Sequence, residues 1–224
     1  MVRDAINKNI FGALYYAWVD FGLVENEYST IDTLRAVSND IVFNKREKVK
    51  MCVISYTSKS ETLNLETYYH LHGRCGIAGT FFSGSSTLLL KFAELCIQCF
   101  KNTVDGGYGH NDEQIVLQVF FECGNGGNGG GNGGGNGGNI NAFDLFDFYF
   151  GDYQYVISNF TGFNSKDSKY ITLNILLPNL MKDNTDESKE LARQAVQFLV
   201  GGYKRDKLEL GKDDIIKMFE YLSR

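Results

Sequence analysis

Three short runs of β-branched and aromatic residues constrain this chain more than any other feature: LYYAWVD (Leu14–Asp20), VKMCVISY (Val49–Tyr56) and IAGTFFSG (Ile77–Gly84). Each is too short for a helix and rich in residues that fit a pleated surface, so each reads as a strand. Helix-patterned segments separate them. Residues 2–9 form a first short helix, Ser29 or Thr30 can cap a second through Val37, and SETLNLETYYH reads as a third from Ser60. After the third strand, Ser85 or Ser86 caps TLLLKFAELCIQCF, which is apolar on nearly every side and is expected to lie buried in the core. Strands alternating with helices predict an α/β fold with a mostly parallel sheet and flanking helices.

One segment interrupts this pattern. Residues 124–139, GNGGNGGGNGGGNGGN, contain eleven of the 25 glycines and no apolar side chain, so nothing there offsets the entropy of ordering the backbone. It is expected to be a flexible insertion, and it lacks the lysine and following helix of a phosphate-binding loop. Beyond it come FYFGDYQYVISNF and two C-terminal helices. The first starts near NTDE, where Asn184 and Glu187 have capping-box spacing, and the second starts at Asp213 or Asp214.

Charge and cysteines narrow the function classes. A net charge of −5 provides no basic field for phosphate backbones, so nucleic acid is not an expected partner. Five cysteines, an odd and scattered set, suit a reducing, cytoplasmic setting, with the Cys96/Cys99 pair read as core residues rather than a redox motif. His70, His72 and Cys75 lie close together but lack the remaining ligands of a structural zinc site. No run of about 18 apolar residues is present, so no transmembrane segment is expected.

The stretch GGYGHNDEQIVLQVFFE (106–122) sets glycines, a histidine, two acids and a glutamine ahead of an apolar run. With Asn111 as N-cap, Asp112 and Glu113 occupy the first helical positions. There they either complement the helix dipole or meet a ligand at the unpaired amides. Asp20, at the end of its strand, is either a satisfied strand-end acid or a ligand in the crevice where open α/β sheets bind.

Four segments in order, DAINKNIFGALYYAWVDFGL, GRCGIAGTFFSGSSTLLLKF, GYGHNDEQIVLQ and FYFGDYQYVISNF, resemble the HtrL/YibB-like (WlaTC-type) family of glycosyltransferases. They span most of residues 2–163. The resemblance implies a partial GT-A-like, Rossmann-like domain over 1–163, interrupted at 124–139, with a helical C-terminal extension over 164–224. It also implies that the family's first nucleotide-binding strands are missing from this chain. The implied activity is transfer of a sugar from a nucleotide-sugar donor to a hydroxyl acceptor, a glycan or small molecule. Asp20 resembles the first acid of the family's metal motif, with Gly22 at the place of the second, and would hold a divalent cation, Mn²⁺ or Mg²⁺. Asp112 and Glu113 would serve the acceptor, one activating its hydroxyl and the other holding the sugar, while His110, Gln114, Arg74, Asp152, Tyr153 and Asn159 would bind substrate. Two alternatives remain open: a non-catalytic remnant acting as an interaction module, and a carbohydrate-binding protein.

Overall fold

The computed structural model describes residues 2–20, 30–43, 47–71, 76–108, 112–124, 142–151, 156–160 and 166–206. Its centre is a four-stranded sheet of β1 (Tyr15–Val19), β2 (Val49–Val53), β3 (Ile77–Ser85) and β4 (Phe146–Phe150), in the order β1-β3-β2-β4. The fold is α/β as expected, but the sheet is mixed rather than mostly parallel. β3 runs antiparallel to both β1 and β2, and only β2 and β4 pair in parallel.

The short helices of the β2–β3 connection account for this departure. Between β2 and β3 lie α3 (Lys59–Leu63) and a π turn (Thr67–Leu71). Five helical residues rise only about 7–8 Å, whereas a five-residue strand spans roughly 16 Å. The chain therefore stays at one rim and β3 returns antiparallel. From β3, α4 (Ser86–Asp105) and α5 (Asp112–Gly124) form a hairpin that leads back to a single helical turn, α6 (Ala142–Leu145), and then into β4. Gly107, at φ +85°, ends α4 in a backbone conformation that side chains with a Cβ rarely adopt.

Alternation along the strands divides the core between the two sheet faces. Val49, Met51 and Val53 of β2 and Phe146, Phe148 and Phe150 of β4 join the larger cluster beneath α4, α5 and α10 (Asp186–Asp206). On the other face, Cys52, Tyr149 and Phe81 pack against Val37 of α2 (Ile31–Phe43) and against Val156, Ile157 and Phe160 of α7 (Val156–Phe160). Lys50 lies on this second face. Its Nζ donates to the Phe160 carbonyl at 2.5 Å and sits 4.0 Å from the Phe160 ring centroid, so an ammonium holds the negative end of α7 to the sheet.

Several local expectations shift. α1 (Val2–Lys8) forms as read, and Thr30 caps α2, with reciprocal bonds to Thr33, but that helix runs six residues beyond Val37. β1 is an edge strand with no fully buried residue. Ser85 caps α4, yet α4 is amphipathic: Leu89, Phe92 and Cys99 face inward while Phe100 and Val104 remain about half exposed (48% and 49%). The helix buried on every side is α5, whose residues Ile115, Val116, Leu117, Val119, Phe120 and Phe121 are all buried. SETLNLETYYH is not one helix. A capping box from Ser58 to Glu61 starts α3 one residue before Ser60, and Asn64 breaks it. α10 is capped by Thr185 with Ser188, one residue beyond the Asn184–Glu187 reading; Glu187 instead pairs with Lys59 at 2.9 Å.

From Lys166 the chain runs through α8 (Lys166–Ile171), a π turn (Thr172–Leu176) and α9 (Leu177–Lys182), where Pro178 is in the first turn. Proline has no N–H to donate, and the looser turn before it accommodates that gap. Leu176, Leu177, Leu180 and the inner face of α10 join the larger core cluster, so the described part of the helical extension packs on the sheet. The glycine tract beyond Gly124 and the helix expected from Asp213 lie outside the described residues. Among the described residues, no helix is long and apolar enough to cross a membrane, and Cys52, Cys96 and Cys99 form no disulfide.

Candidate functional site

Strand direction defines the rim on which a site would form. β1 opposes β3 and β3 opposes β2, so β1, β2 and β4 all point the same way and their carboxyl ends share one rim. In open α/β sheets this is the rim that receives ligands. Asp20 stands there, exposed, just past β1, with its backbone N–H donating to the Thr80 carbonyl at 2.8 Å. The first half of α5 approaches the same rim. Gly76, immediately before β3, lies so close to Leu117 that a Cβ there would come 2.5 Å from its Cδ2.

Glu113, in the first turn of α5, is only 7% exposed, and its Oε1 is buried without a hydrogen-bond partner among the described residues. Buried polar atoms in folded proteins are rarely left so. Gln114, next to it, faces a different neighbour: its Nε2 donates to the Tyr68 carbonyl at 2.7 Å, and the Tyr68 hydroxyl donates back to the Gln114 carbonyl at 3.0 Å. This reciprocal pair ties α5 to the π turn after α3. Asn159 is buried on the other side of the sheet, its Nδ2 donating to Ser168 Oγ at 2.8 Å beside Gly151.

The sequence-predicted residues are therefore only partly gathered. Asp20 and the start of α5 belong to one rim, whereas Asn159 of α7 is enclosed against Ser168 of α8. His110, Arg74, Asp152, Tyr153 and the side chain of Asp112 lie outside the described residues. Among the described residues, no three histidine, cysteine, aspartate or glutamate side chains form a group that could hold a metal ion. Asp20 could supply one hard oxygen, which suits a cation whose remaining ligands come from phosphates and water.

Beyond the carboxyl end of β2 the same rim carries a hollow of 390 Å³. Its first wall is the β2–α3 connection with Tyr56, Ser58, Ser60 and Glu61; its second is the end of α9 with Asn179, Lys182 and Asp183. The Tyr56 hydroxyl donates to Asp183 Oδ2 across the junction. Burial raises the pKa of this phenol well above its ordinary 10.0, and the hydrogen bond to Asp183 and that carboxylate's charge raise it further. These residues escaped the sequence reading. One signal was available: Ser58 and Glu61 have capping-box spacing directly after a strand, which marks a helix start at a carboxyl rim. The opposite wall, contributed by Asp183 at a separation of 127 residues, had no local signal.

Comparison of the chain with protein-family models, with curated proteins and with solved structures finds no match.

Proposed function

We propose that this chain is a glycosyltransferase-like protein that moves a sugar from a nucleotide-sugar donor to a hydroxyl acceptor at the carboxyl rim of its sheet. The observation that carries this reading is the common direction of β1, β2 and β4, through which Asp20, the start of α5 and a polar hollow share one rim. The four family-like segments support the choice of chemistry.

On this reading Asp20, with donor phosphates and water, would hold a divalent cation that offsets the charge of the leaving diphosphate. Glu113 is the described residue best suited to the acceptor. Its buried Oε1 has no donor among the described residues, which is the condition of an acceptor atom awaiting a substrate hydroxyl. Gln114, whose amide is committed to Tyr68, would position α5 rather than grip sugar.

A non-catalytic interaction module is the second reading. The burial of Glu113 and Gln114 favours it, because a carboxylate enclosed by packing reaches no substrate. Calorimetric titration of UDP-, GDP- and CMP-sugars with Mn²⁺ or Mg²⁺ separates the two. Metal-dependent, saturable heat that disappears in Asp20→Ala is expected from a transferase. No heat from any donor ends that reading and leaves the module.

A further inference from the structure

We infer that the hollow between the β2–α3 connection and the end of α9 is a binding site for a neutral polyhydroxylated small molecule, a free sugar in the simplest case. Its volume of 390 Å³ lies within the range of small-ligand sites. Two long-range tethers hold its walls in place. The Tyr56 hydroxyl bonds Asp183 across 127 residues, and Lys59 Nζ pairs with Glu187 at 2.9 Å, both of these side chains largely shielded from solvent. The near wall is stiffened by the capping box, in which Glu61 Oε2 accepts from the Ser58 N–H at 3.0 Å. Walls fixed before a ligand arrives reduce the ordering that binding would otherwise demand.

The lining chemistry selects the ligand class. Hydroxyls of Ser58 and Ser60, the Asn179 amide, the Lys182 ammonium and the carboxylates of Glu61 and Asp183 offer both donors and acceptors. Such a set matches vicinal hydroxyl groups, each of which donates once and accepts twice. Two carboxylates against one ammonium oppose a phosphate or another anion. Among the described residues Tyr56 is the only aromatic ring in the lining, so a flat apolar ligand finds no stacking pair there. Assigning the bound sugar as the acceptor rests on the transferase reading; its binding does not.

The test is a heteronuclear NMR titration of the full chain with D-glucose, D-galactose and N-acetylglucosamine, with inorganic phosphate as the competing anion. Saturable shifts confined to 56–61 and 179–183 are expected from at least one sugar. Asn179→Ala and the surface change Lys182→Ala should each weaken that binding about tenfold, as for one lost hydrogen bond. Absence of saturable shifts at these residues with every sugar, or saturation of the hollow by phosphate in preference to sugar, overturns the inference. Sugar binding here without any response to nucleotide-sugars would leave the hollow standing and remove the transferase. Nucleotide-sugar binding with an unperturbed hollow would do the reverse.

Discussion

Gly151→Ala tests the packing at the carboxyl end of β4. A Cβ at this buried position would overlap the Asn159 amide nitrogen and lie 3.0 Å from Asn159 Cγ and 3.1 Å from Ser168 Oγ. Asn159 cannot move aside freely, because its Nδ2 donates to Ser168 Oγ at 2.8 Å and both residues are buried. Two penalties follow. Overpacking costs about 1–3 kcal/mol, and displacing the amide strands buried polar groups at about 1–3 kcal/mol. The reduced entropy of the unfolded alanine chain offsets only about 0.4–1 kcal/mol. The net loss should be about 1–6 kcal/mol, against the 5–15 kcal/mol that holds a typical domain together. In urea, with a slope of about 2–3 kcal/mol per molar, the midpoint should fall by roughly 0.3–3 M without a change in slope. Adding Asn159→Ala removes the obstructing amide, so the double variant should be less destabilised than the sum of the singles by about 1 kcal/mol or more. A midpoint for Gly151→Ala within about 0.2 M of the parent protein would refute this account of the glycine.

Tyr56→Phe should reduce stability by about 1 kcal/mol at neutral pH through loss of the bond to Asp183, read from the same urea transitions. It should also alter the alkaline limb. A phenol whose pKa is raised in the folded state binds its proton more tightly there, so its contribution is complete below the unfolded pKa near 10 and declines as pH rises above it. The difference between parent and variant should therefore be constant below about pH 9 and shrink above about pH 10; a difference that grows with alkalinity refutes the sign. Gln114→Leu leaves the buried Tyr68 carbonyl without its 2.7 Å donor and should cost roughly 1–3 kcal/mol. Amide exchange in the Thr67–Leu71 turn should accelerate in step, and unchanged exchange would show that the pair does not hold that turn to α5.

Local features are legible in the sequence alone. Ser85 caps α4 and Thr30 caps α2 because a hydroxyl one step before a helix meets amides only two or three residues away, within reach of the sequence alone. Strand identity was equally local: β-branched and aromatic side chains at VKMCV and IAGTFF favour extended backbone whatever lies beside them. Burial was less secure. α4 and α5 are both apolar and both pack against the sheet, and which of them keeps a face toward water is a fact external to either segment.

The sequence by itself determined that this chain alternates strands and helices and where most of those helices begin, because caps and side-chain period act over a few residues. Only the tertiary structure decided that β3 turns antiparallel between β1 and β2, and that Glu113 and Gln114 are enclosed. It also decided that Tyr56 meets Asp183 across a hollow. Each of those outcomes depends on which surfaces come together over separations of tens to hundreds of residues. Strand order is set by burial of the sheet's two faces and by the reach of the connections, and a pattern read along one strand carries no record of its neighbours.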